Sequence, residues 1–311
     1  MGFTSIARLF AGGIALAGCA VPVLPDEPAP TAPSADPAPE IASLNVDCTA
    51  GGVVVAGQRY DDLQPALDAA APGDAVAVCA GTWTGVFVAS VPVTIGGVGA
   101  VILDGGEAGT VLSVPGGSLV LDVAVTGGAG VDGGGLAVTS PGEVTVARSR
   151  LAGNVAQDGG GLFAAAGASV WLLDTIVADN VAGSGGGVSI DGGALHASGA
   201  TIANNRANVE GGGVWCADAE LSLGDAALTG NHALDGGGVF ADGCAIGGGA
   251  FAGNTAFRYG GGLVVLDGAV AGSSVRDGAA AYGGGLYAMG ADLRSLVVSA
   301  NVADEGSGIY A

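Results

Sequence analysis

Four carboxylates, Asp132, Asp158, Glu210 and Asp235, each stand immediately before a run of three glycines. Carboxylates in such a series could supply acid and base groups to a glycosidic bond, or several oxygens to calcium. The first chemistry needs a basic residue poised beside them. Arg148, Arg150, Arg206, Arg258, Arg276 and Arg294 are scattered and fall in no recognisable lyase motif. The second chemistry has a repeat of its own, Gly-Gly-x-Gly-x-Asp, which this spacing does not follow, and Ser184 interrupts the series. The expectation is therefore a solvated acidic turn, with calcium as the alternative, and no catalytic residue, metal or cofactor is assigned. His196 and His232 have no nucleophile or carboxylate constellation around them and are expected on the surface.

What positions these residues is a repeat. Glycine triads begin at Gly133, Gly159, Gly185, Gly211, Gly236, Gly260 and Gly283, and a degenerate Gly306-Ser307-Gly308 follows, a spacing that falls from 26 to 23 residues. The residue after each triad is apolar (Leu136, Leu162, Val188, Val214, Val239, Leu263, Leu286, Ile309), and two further on the residue is again apolar or small. That period of two marks a short strand with one buried face. A second apolar patch follows in each unit, as in Leu195 and Ala197 or Leu221 and Leu223, and a third precedes the next triad, as in Ile176, Ile202, Leu228 and Phe251. Three short strands cannot bury a core alone, but stacked copies can. The fold expected is all-β, a single-stranded right-handed parallel β-helix. Residues 45–311 in units of about 24 would give roughly eleven coils and a rod about 50 Å long. Asn154, Asn180, Asn205, Asn231, Asn254 and Asn301 recur just ahead of the triads and are expected to hydrogen-bond along the stack as a ladder.

The position between the two inward residues reads Ala137, Phe163, Ser189, Trp215, Phe240, Val264, Tyr287, Tyr310. It should face outward, so Phe163, Trp215, Phe240, Tyr287 and Tyr310 would form a broken aromatic stripe. Contact with a glycan or a surface protein is one reading of such a patch; the other is that aromatics simply favour strands. The chain finishes at Ile309-Tyr310-Ala311 as a strand begins, and an open strand edge invites pairing. End-to-end self-association through that coil is the expectation, with harmless fraying as its rival.

Residues 1–18 carry Arg8, no acid, and a short apolar run, the proportions of a signal peptide and too short to span a bilayer. The run ends in Leu16-Ala17-Gly18-Cys19, which resembles the bacterial lipobox. The resemblance implies cleavage before Cys19 and lipid on that cysteine, and Ala20 after it favours the outer membrane. Residues 19–44 hold seven prolines between Pro22 and Pro39, a semi-rigid tether lifting the body off the membrane. With Cys19 lipidated, an even number of cysteines remains in an exported chain, which suggests two disulfides. Cys216 and Cys244 fall on adjacent coils and both read as inward, so they pair; Cys48 and Cys79 then pair at the N-terminal end.

The triads with an upstream asparagine, and Phe251-Ala252-Gly253-Asn254 in particular, resemble the repeat of chlamydial polymorphic membrane proteins. Asp61-Asp62-Leu63 through Pro72-Gly73-Asp74 to Gly81-Thr82-Trp83 resembles the entry segment of pectin-lyase-like β-helices, which implies a short amphipathic helix closing the N-terminal end. Together these likenesses cover about residues 45–311. With 8 Lys+Arg against 29 Asp+Glu the net charge is −21. No basic face can be assembled for nucleic acid or for anionic lipid. The functional expectation is a surface-anchored, non-catalytic lipoprotein in adhesion or envelope structure, with a polysaccharide-binding or polysaccharide-degrading protein as the alternative.

Overall fold

The computed structural model describes residues 46–311. The expected signal peptide over residues 1–18, the expected lipidation at Cys19 and the expected tether over residues 19–44 lie outside the described residues. The body is a parallel β-solenoid in which almost every strand pairs in register with its copy one turn away. Its post-triad column runs Phe87, Leu112, Leu136, Leu162, Val188, Val214, Val239, Leu263, Leu286, Ile309. Ten residues joined by nine register steps make a stack of about 43 Å, so the eleven coils expected from unit length are too many. The shortfall lies at the N-terminus. There β1 (Val53–Val55) pairs antiparallel with both β2 (Gln58–Tyr60) and β3 (Ala75–Thr84), and the chain then forms a helix, so these residues cap the solenoid instead of lengthening it.

That helix, α1 (Leu63–Ala69), is the capping helix the sequence implied. Asp62 at its N-cap accepts a hydrogen bond from the Leu63 amide at 2.7 Å, satisfying one of the orphan donors of the first turn. Leu63, Ala66 and Leu67 fall at the i, i+3, i+4 spacing and are buried with Val53 and Val55 over the open end of the core. The Cys48–Cys79 disulfide, with Cα atoms 5.5 Å apart, ties the preceding segment to β3. The Cys216–Cys244 disulfide lies inside the solenoid, both residues buried, and joins adjacent coils.

Each coil turns at residues in the left-handed region, and these corners set the phase of the strands. Arg148, Asp174, Gly199, Gly248, Gly272 and Ser295 have φ between 48° and 75°. The third residue after each points inward: Leu151, Val177, Ile202, Phe251, Val275 and Val298; Leu228, which follows Gly224 (φ 41°) by four, completes the column between Ile202 and Phe251. Ile176, which the sequence pattern placed in that column, faces outward and is exposed, while its neighbour Val177 is buried. Both are apolar, so only the corner at Asp174 decides between them.

The asparagine ladder is present. Nδ2 of Asn154 donates to Oδ1 of Asn180 at 3.0 Å, and the same bond links Asn180 to Asn205, Asn205 to Asn231 and Asn231 to Asn254 at 3.0–3.1 Å. Gly128 and Gly278 stand where the asparagine is missing, and each donates its backbone amide to the Oδ1 of the next coil. These side chains are structural. A buried amide whose donors and acceptor are all used specifies register at low cost.

Candidate functional site

The glycine triads form the sharpest corner of the solenoid. The first glycine of every triad has φ between 60° and 73°, a region an L side chain enters only at a cost. The second glycine has no room for one: a Cβ on Gly160 would lie 2.5 Å from the carbonyl oxygen of Gly186 and 2.7 Å from that of Val181, both on the next coil. Two outward columns flank this bare backbone. On the entering side stand Asp132, Asp158, Ser184, Glu210, Asp235, Tyr259, Tyr282 and Glu305 in register. On the leaving side stand Ala137, Phe163, Ser189, Trp215, Phe240, Val264, Tyr287 and Tyr310. The expected acids and the expected aromatics thus meet on one face.

The aromatic column is not an open fringe. Phe163, Trp215, Phe240 and Tyr287 are half-buried, and Tyr310 alone of the five is exposed, at 36%. Ala137, Ser189 and Val264 are buried in the same column. The rings are therefore an alternation of large and small side chains that covers the strand, with ring surface still open along it.

Side chains reach over the triads from one column to the other. Trp215 donates Nε1–H to Oε2 of Glu210 at 3.1 Å. Arg258, from the next coil, grips Asp235 with two parallel hydrogen bonds: Nε donates to Oδ1 at 3.1 Å and the terminal NH2 to Oδ2. The Asp235 side chain is 6% exposed, so a charge buried there requires that partner. The guanidinium of Arg258 also lies 5.5 Å from the centroid of the Tyr259 ring. Further along, Tyr259, Tyr282, Tyr310 and Tyr287 form a closed quartet with neighbouring centroids 4.7–5.6 Å apart.

The electrostatics follow from this packing. Burial pushes the Glu210 carboxyl above its ordinary value; the Trp215 hydrogen bond opposes this, and the Asp235 charge adds to it. Burial also raises Asp158, and the like charge of Asp132 one coil away raises it further. Burial first, then the neighbouring Tyr259, raises the Tyr287 phenol. Among the described residues no three His, Cys, Asp or Glu side chains converge as a metal site. Asp235, one of the residues weighed for calcium, has an arginine as its counter-charge.

Arg258, Tyr259 and Tyr282 were not singled out from the sequence. The signal was there, because the position before each triad continues past Asp235 into the two tyrosines at the same spacing. His196 departs from the expected surface position. It is buried, stacked on Trp171 from the preceding coil with ring centroids 4.1 Å apart, and burial lowers its pKa against the opposing pull of Glu220 and Glu143. His232 is exposed and meets Oγ1 of Thr255 through Nδ1 at 2.9 Å.

Comparison with known proteins gives no match, whether to protein-family models, to curated proteins or to solved structures.

Proposed function

We propose that the protein is a membrane-anchored, non-catalytic β-helix that presents its glycine corner as a contact surface for adhesion at the cell envelope. The observation that carries this reading is the run of aromatic and acidic side chains in register along the corner from Glu210 and Trp215 to Glu305 and Tyr310. Isolated exposed aromatics mean little, whereas a contiguous strip on a rigid rod is the form a binding surface takes. The lipobox at Leu16–Cys19 and the proline-rich residues 19–44 fit this role by supplying an anchor and a spacer, and Ala20 favours the outer membrane.

A polysaccharide-cleaving role is the second reading, favoured by the meeting of Glu210, Asp235 and Arg258 at one corner. Against it, Asp235 is closed within its ion pair and Glu210 is engaged by Trp215, so neither is poised over an open cleft. The test uses full-chain protein in detergent micelles on immobilised cells, extracellular matrix proteins and glycans, with a parallel turnover assay on acidic and neutral polysaccharides. Retention that falls when Phe163, Phe240 and Tyr287 are changed to serine, without product release, supports adhesion. Release of new chain ends that disappears in Glu210→Gln replaces adhesion with cleavage.

A further inference from the structure

The corner holds one arginine in a way that suggests what else it can hold. The guanidinium of Arg258 is clamped by a carboxylate from one coil, Asp235, and lies against a tyrosine ring from its own coil, Tyr259. Carboxylate and ring face together make a good receptor for a planar cation, because the ring quadrupole and the anion attract the same group. Within the same columns one coil back, a carboxylate and a ring meet again. Glu210 is in register with Asp235 and accepts from Trp215 of the opposite column, while the place held by Tyr259 beside Arg258 is held here by Asp235, and Asp242 acts on Glu210 electrostatically. Glu210 forms no ion pair there among the described residues, although Arg258 attracts it from a distance. Two coils further back, Asp158 and Phe163 repeat the pairing, with Asp132 beside them.

Resting on the adhesion reading, we propose that this corner docks a basic polypeptide segment, seating arginine side chains against Glu210 with Trp215 and against Asp158 with Phe163. Charge complementarity selects that occupant over others. The chain carries −21 at neutral pH and has no lysine, so an anionic glycan or nucleic acid is repelled. A neutral sugar could hydrogen-bond the carboxylates through its hydroxyls but would leave their charge uncompensated. A protein segment in extended form matches a straight rod, and its arginines match receptors two coils apart, about 9.6 Å.

The experiment is fluorescence anisotropy with fluorescein-labelled nona-arginine and full-chain protein in detergent micelles at low salt. Saturable binding is expected, weakened about tenfold, or about 1.4 kcal/mol, by Glu210→Gln and separately by Trp215→Leu. Glu143→Gln with Glu220→Gln removes two charges from a different face and should change affinity by less than about twofold. Glu210→Gln is nearly isosteric, so it stays informative if Trp215→Leu proves poorly folded by circular dichroism. Equal losses in the Glu143/Glu220 variant would reduce the effect to net charge and overturn the proposal. So would absence of saturable binding. A neutral oligosaccharide that binds through Trp215 while nona-arginine does not would also overturn it, leaving the adhesion reading in place.

Discussion

Asn205 sits in the middle of the buried ladder, and its replacement by alanine should cost more than any surface change nearby. The side chain makes four hydrogen bonds. Nδ2 donates to the Val177 carbonyl at 2.9 Å and to Oδ1 of Asn231 at 3.1 Å. Oδ1 accepts from the backbone amide of Asn180 at 3.1 Å and from its Nδ2 at 3.0 Å. Asn231 Oδ1 keeps a partner after the change, because the Asn205 backbone amide still reaches it at 2.9 Å. The Asn180 amide and one hydrogen of its Nδ2 do not. Two donors stranded in a dry interior at roughly 1–3 kcal/mol each give an expected loss of about 2–6 kcal/mol. Asn301, at the C-terminal end of the ladder, is half-buried and makes two side-chain bonds, so Asn301→Ala should cost about 1–2 kcal/mol. Urea denaturation followed by far-ultraviolet circular dichroism measures both, with an unchanged slope showing that the unfolding transition is comparable. A loss below about 1 kcal/mol for Asn205→Ala, or equal losses at the two sites, would refute the claim that the ladder fixes the register.

Gly160→Ala should destabilise by about 2 kcal/mol or more, because the new methyl meets backbone oxygens of the next coil that cannot move aside; thermal melting beside Gly167→Ala, whose Cβ meets only the Pro141 ring, at 3.7 Å and beyond, separates crowding from a left-handed φ, which only Gly167 has. Glu210→Gln should raise the melting temperature at neutral pH, since it removes a charge that burial and the nearby Asp235 and Asp242 disfavour, at the expense of the charge on the hydrogen bond from Trp215 and the weaker attraction to Arg258. Because its folded pKa is raised, the native protein holds more protons than the unfolded chain between 4.5 and the folded value. Wild-type stability from this group therefore rises as pH falls through that interval. The advantage of the variant should shrink over the same interval, and a constant difference from neutral pH to pH 4 would contradict the assignment.

Much of this architecture was legible because the repeat is written twice, once in glycine and once in asparagine. The triads gave the coil length, the alternation after them gave the buried column from Leu136 to Leu286, and the inward reading of Cys216 and Cys244 gave their pairing. Phase was harder. At Thr175-Ile176-Val177 two apolar residues compete for one inward position, and the choice rests on a left-handed Asp174 that hydrophobic pattern does not reveal. The N-terminal residues were counted as coils because their apolar content is similar, although β1 and β2 form an antiparallel hairpin. At the corner, each column was read for one chemistry, acids on one side and rings on the other. The face they share depends on how sharply the triad folds the chain back. Trp171 and His196 stand a coil apart in one column, and their stacking brings the histidine under cover where composition alone suggested solvent.

The central claim is that successive turns lie in register, so that equivalent residues are separated only by coil number. Val155, Val181, Arg206, His232, Thr255, Ala279 and Val302 form one outward column in consecutive coils. Spin labels introduced as non-canonical residues at Val155 with Thr255, and at Val155 with Val302, span four and six of these steps. Pulsed electron double resonance should give narrow distributions near about 19 Å and about 29 Å. Separations that do not grow with the number of intervening coils would contradict the stacked register and everything placed upon it.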